Sequence, residues 1–153
     1  MSRELRESLA VERGLLRRLL EESSALIARC RTEPPGFTER WALAAMLHAF
    51  YNGVENLFKR IAMECDGGMP GGPSAHRDLL DSMARAGVSR PRVITDATRD
   101  LIEKYLDFRH MFRHAYTFDL RWDKMAAAVF GCEDALRQLE SDLATFCDTL
   151  ETG

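Results

Sequence analysis

Leu43, Leu47, Phe50, Val54, Leu57 and Ile61 recur at alternating intervals of four and three residues, a rhythm that puts all six on one side of a helix. The same rhythm returns in Met125, Val129, Cys132, Leu136, Leu139, Leu143, Phe146 and Leu150, entered at Asp119, whose carboxylate suits an N-cap. An earlier face carries Leu9, Leu16, Leu19, Leu20, Leu26, Ile27 and Cys30, and the prolines and glycine of TEPPGFT then interrupt it. A fourth seam runs through Leu101, Tyr105, Phe108, Phe112 and Ala115, with Thr95 placed to cap its start. Strand-like alternation is not found, and no internal repeat is visible.

The low-complexity stretch DGGMPGGPS separates the second seam from the fourth. After it, AHRDLLDSMARA predicts a short connecting helix that Ser74 opens and Gly87 closes. Neither side of this stretch holds a complete core, so it reads as a connection and not a domain boundary. The pattern predicts an all-α fold, an antiparallel four-helix bundle with one additional short helix, as a single domain over residues 1–153.

Composition agrees with a packed chain: of 153 residues, 46% are hydrophobic and 29% charged. A net charge of −3 excludes binding of nucleic acid or anionic membrane through bulk charge, so any polyanion site must be local. The amino-terminal residues interleave acids and bases, without a signal-peptide core or a membrane span, which predicts a cytoplasmic protein with no membrane partner. Cys30, Cys65, Cys132 and Cys147 lie too far apart for a zinc knuckle or redox pair and read as reduced, mostly buried thiols.

One segment departs from this pattern. In FRHMFRHAY the stripe Ile102, Leu106, Arg109, Arg113, Tyr116 turns from apolar to cationic after two turns. Burying a guanidinium requires an anionic partner to offset its desolvation. That partner is either an acid on a neighbouring helix, with Glu55 and Asp123 the candidates for Arg109 and Arg113, or an anionic ligand. His110 and His114 stand four apart, the spacing of helical zinc pairs, but no third ligand is evident, and no metal or other cofactor is expected. Arg109 and His114 are five apart, about 140° and roughly 7.5 Å on an unbroken helix. They serve one small site only if the helix loosens near His114 or a second protomer contributes.

Arg109, His114 and Tyr116 form an R-x4-H-x-Y pattern, with His110 at the polar position after the arginine. This pattern resembles the motif of HepT-like toxins in the HEPN superfamily, and the likeness extends to YNGVENLFKRIA and FDLRWDKM. The resemblance implies the toxin of a type VII-like toxin–antitoxin pair, a metal-independent endoribonuclease that acts on RNA as a homodimer. In that scheme Arg109 holds the scissile phosphate, His114 exchanges protons, and Tyr116 accepts AMP from a cognate minimal nucleotidyltransferase antitoxin. His110 and Arg113 are supporting candidates that orient the motif or bind adjacent phosphates, and each also reads as a solvated helix residue. Asn52 and Glu55 could orient the site or be ordinary surface polarity, while His48 and His76 are expected to be structural. Tyr116 also reads as a core tyrosine at a helix end. A non-catalytic helical partner or substrate of a nucleotidyltransferase is the alternative function, and a plain bundle with an ion-pair network is a third.

Overall fold

The computed structural model describes residues 1–114, 116 and 120–152. Its elements are α1 (Arg3–Cys30), α2 (Phe37–Ile61), α3 (Ala75–Met83), α4 (Asp96–His114) and α5 (Trp122–Thr152). Helix starts follow capping chemistry. The Ser2 hydroxyl accepts from the Leu5 amide at 3.0 Å, and Glu39 reaches back to accept from the Gly36 amide at 3.1 Å. Thr95 Oγ1 accepts from the Thr98 amide at 3.2 Å, which makes Thr95 the cap of α4 as the sequence predicts. Ala115 and Asp119, placed by the sequence pattern on a seam and at a helix start, lie outside the described residues.

The four long helices form a bundle in which α1 packs on α2 and α5, and α4 packs on the same two. Cross-helix pairs show that each neighbouring pair is antiparallel. Arg6 meets Glu151 while Arg17 meets Glu133 and Glu140; Glu12 meets Arg60 while Arg29 meets Glu39. On the other side Trp41 meets Phe112 while Phe50 meets Tyr105, and Tyr105 Oη donates to the Ala128 carbonyl at 2.8 Å. The predicted faces of α2 and α5 are buried, from Leu43 to Ile61 and from Met125 to Phe146, in a cluster continuous with Leu9, Leu16, Leu20, Ile102 and Phe108. Gly53 lets α1 come close, because a Cβ there would sit 2.6 Å from Leu16 Cδ2. No described helix is long and apolar enough to cross a membrane. All four cysteines are free, two of them buried, and burial pushes the Cys132 thiol up to about 12.

The connection between α2 and α4 differs from its sequence reading. Helix α2 continues into a π-helical turn, Ala62–Asp66, that stops at Gly67 in the left-handed region, φ +72°. Ser74 precedes α3 but caps no backbone amide; its hydroxyl donates to Asp78 Oδ2 at 2.7 Å. Gly87 does not close α3, which ends at Met83. Its lack of a side chain serves packing instead, since a Cβ would lie 2.9 Å from Asp66 Oδ1. The buried Arg90 guanidinium beside it donates to both Asp66 oxygens, at 2.9 and 2.8 Å, and to the Arg85 carbonyl at 3.1 Å. This fork ties the end of α2 to the segment between α3 and α4.

Candidate active site

The last two turns of α4 rest on the first half of α2. Phe112 meets Trp41 edge-on at 5.8 Å and lies 5.3 Å from the His48 ring, while Phe108 stacks against it from the turn before. These apolar anchors fix the direction in which the intervening polar residues project. Arg109 is half-buried, and its Nε has no hydrogen-bond partner. His110, Arg113 and His114 are exposed, with the two imidazoles 4.8 Å apart.

Among the described residues neither Arg109 nor Arg113 makes an ion pair with an acid. Glu55 and Asp123 are engaged elsewhere: Glu55 by Lys59 at 2.7 Å and His76 at 2.5 Å, Asp123 by Arg121 at 2.8 Å. Two cations nearby, one on α3 and one earlier on α4, are matched. Arg77 pairs with Glu103 and Asp107, and Arg99 with Asp81, Asp100 and Glu103. The cationic end of α4 lies at the negative pole of the helix dipole, which favours positive charge there without neutralising it. A polyanion can therefore compete for these groups without first breaking a salt bridge. Helix α4 stays regular through His114, so loosening of the helix before that residue does not bring Arg109 and His114 together.

A pocket of about 400 Å³ opens between α3 and α4, lined by Ser74, His76, Arg77, Asp107, Arg109 and His110 among others. His76 was expected to be structural, yet it shares this pocket with Arg109. The expectation missed it because its anchor, Glu55, lies 21 residues away on α2. Glu55 is 4% exposed, which rules out surface polarity as its explanation. Burial pushes its carboxyl up, but hydrogen bonds from Lys59 and His76 outweigh that and hold it below the usual carboxylate value. Burial together with the adjacent Glu55 charge pushes the Tyr51 phenol well above its ordinary range.

His48 likewise lies against the site. Its Nδ1 is buried without a partner, and burial, with help from the charges of Arg109 and Arg113, holds the imidazole below its ordinary value. Those two guanidiniums thus meet a neutral ring and not an acid. Asn52 lies apart, in a groove with Leu15, Leu19 and Asn56 between α1 and α2. Tyr116 is 71% exposed, which overturns the reading of it as a core residue and leaves its ring accessible to a second protein.

The model of the HepT-like protein family matches residues 42–150, from early α2 to the end of α5, and includes Arg109, His110, Arg113, His114 and Tyr116. The chain belongs to the HepT-like family. Among curated proteins and among solved structures nothing matches it. Membership puts this HepT-like chain within the HEPN superfamily of toxins and ribonucleases and agrees with its helical architecture.

Proposed function

We propose that this HepT-like protein is the toxin of a type VII-like toxin–antitoxin pair, a metal-independent endoribonuclease that cuts RNA as a homodimer. The observation that carries the reading is the arginine at position 109: half-buried and without an acid partner among the described residues, while Arg99 on the same helix and Arg77 on α3 are matched. Its planar fork fits two phosphate oxygens and stabilises the charge that builds on a pentacoordinate phosphorus. His114, exposed and one and a half turns further on, exchanges the proton of the attacking 2′-hydroxyl or the leaving oxygen. The divergence of Arg109 and His114 along a regular helix favours a two-fold dimer, in which the second copy supplies the histidine.

Tyr116, 71% exposed, fits the role of AMP acceptor for a minimal nucleotidyltransferase antitoxin. The added phosphate would place negative charge near the cationic end of α4 and repel RNA. The same exposure favours a second reading, a non-catalytic substrate module of such a transferase.

Purified protein is expected to cleave single-stranded RNA in the presence of a chelator, with His114→Ala slower by roughly 100-fold or more. Equal rates in both proteins reject the catalytic assignment. A chain that gains the mass of AMP from a candidate transferase and ATP, but never cuts RNA, selects the second reading.

A further inference from the structure

Proton exchange at a cleaved phosphodiester needs two groups, one to take the 2′-hydroxyl proton and one to supply the leaving oxygen. His114 accounts for one of them. The pocket that Arg109 lines contains another imidazole, held in a different manner. His76 Nδ1 donates to Glu55 Oε2 at 2.5 Å, and this contact leaves Nε2 as the ring's remaining proton-transfer atom. Glu55 is fixed in turn: it is buried in the bundle, and its other oxygen accepts from Lys59 at 2.7 Å. A buried carboxylate that orients an imidazole and stabilises the cation formed on protonation is the arrangement general-base catalysis requires.

We propose that His76, oriented by Glu55, is the general base of the site, acting in the same chain as Arg109. This rests on the ribonuclease reading above and assigns the proton steps within it. His76 Nε2 takes the proton of the 2′-hydroxyl, the 2′-oxygen bonds to phosphorus, and the bond from phosphorus to the 5′-oxygen breaks. The imidazolium of His114 from the second copy gives its proton to that leaving oxygen. The products are a 2′,3′-cyclic phosphate and a 5′-hydroxyl, and proton exchange with water returns both histidines to their starting states. Glu55 is a positioning residue, because it acts only through His76.

The charges around His76 are compatible with this assignment. From α2 it meets Glu55, with Lys59 behind the carboxylate; from α4 Asp107, Arg109 and His110 share its pocket; on its own helix Arg77 is neutralised by Glu103 and Asp107. Arg109 is thus the pocket cation without an acid partner, and it is placed to hold the phosphate whose neighbouring hydroxyl His76 deprotonates.

The test uses the full chain and a short single-stranded RNA. His76→Ala is expected to cut about 100-fold more slowly than wild type, to bind a non-cleavable 2′-O-methyl RNA equally well, and to regain activity with added imidazole. Glu55→Gln can turn its amide toward Nδ1 and so lose the contact that orients the ring; its kcat should fall by about 10-fold or more while KM and affinity for the 2′-O-methyl RNA stay unchanged. Circular dichroism of both variants checks folding, and His76→Gln, which preserves a polar side chain, replaces His76→Ala if the latter unfolds. Wild-type rates in folded His76 variants overturn this inference alone when His114→Ala is inactive. An RNA left uncut by wild type overturns the ribonuclease reading and this inference together.

Discussion

The middle of α4 and its carboxyl-terminal end carry similar side chains in opposite states. Around Arg99 and Glu103, cations meet acids: Arg99 spans Asp81, Asp100 and Glu103, and Arg77 spans Glu103 and Asp107. Two turns later Arg109 and Arg113 have no acid partner among the described residues, and the acids that could have reached them are committed elsewhere. The two regions share one helix and one solvent, so the difference lies in what surrounds each guanidinium. Matched charges brace α3 against α4, whereas unmatched charges remain available to an incoming anion. In a chain of net charge −3, that leaves a local concentration of unmatched positive charge at this end of the bundle.

The contrast can be broken at either region. The largest expected effect is on chemistry: Arg109→Ala should slow RNA cleavage by about 100- to 1000-fold with no loss in thermal unfolding temperature, measured by initial rates and by calorimetry. Arg99→Ala should do the reverse, losing about 1 kcal/mol in urea unfolding while cleaving RNA within about twofold of wild type. Arg113→Ala should leave stability unchanged and reduce the slope of log affinity against log salt by about 0.7, read with a non-cleavable single strand. The smallest effect concerns His48, whose folded pKa is lowered. The unfolded chain therefore takes up its proton first as pH falls, and stability declines from about pH 6.5 down to the folded value and then levels off. In His48→Phe that part of the decline should vanish from urea midpoints measured between about pH 7 and 5.

Much of the bundle was readable from spacing alone, because period-3.6 burial leaves a direct mark: each of the six residues from Leu43 to Ile61 singled out by rhythm is buried. Thr95 was readable because capping is local. The site was readable only where its residues are neighbours in sequence, as in FRHMFRHAY. His76 and Glu55 meet across a π-helical turn and a glycine-rich connection, and no local pattern records that contact. His48 gave no signal either, since its position beside Arg109 depends on how Phe112 seats α4 against α2. Gly87 misled because glycine after a helix suggests a terminator, while here it makes room for Asp66 and Arg90.

The Arg90 fork has a consequence for motion. Its side chain is 2% exposed, and its hydrogen bonds to Asp66, Arg85 and Ser82 fasten the end of α3 and the segment after it to the π-helical turn. Amide exchange in α3 should therefore report this fastening separately from the bundle. If Arg90→Met lets residues 75–83 exchange faster while the amides of α2 and α5 keep their protection, then α3 is a cooperative unit that can open on its own, and Arg90 sets how often it does so.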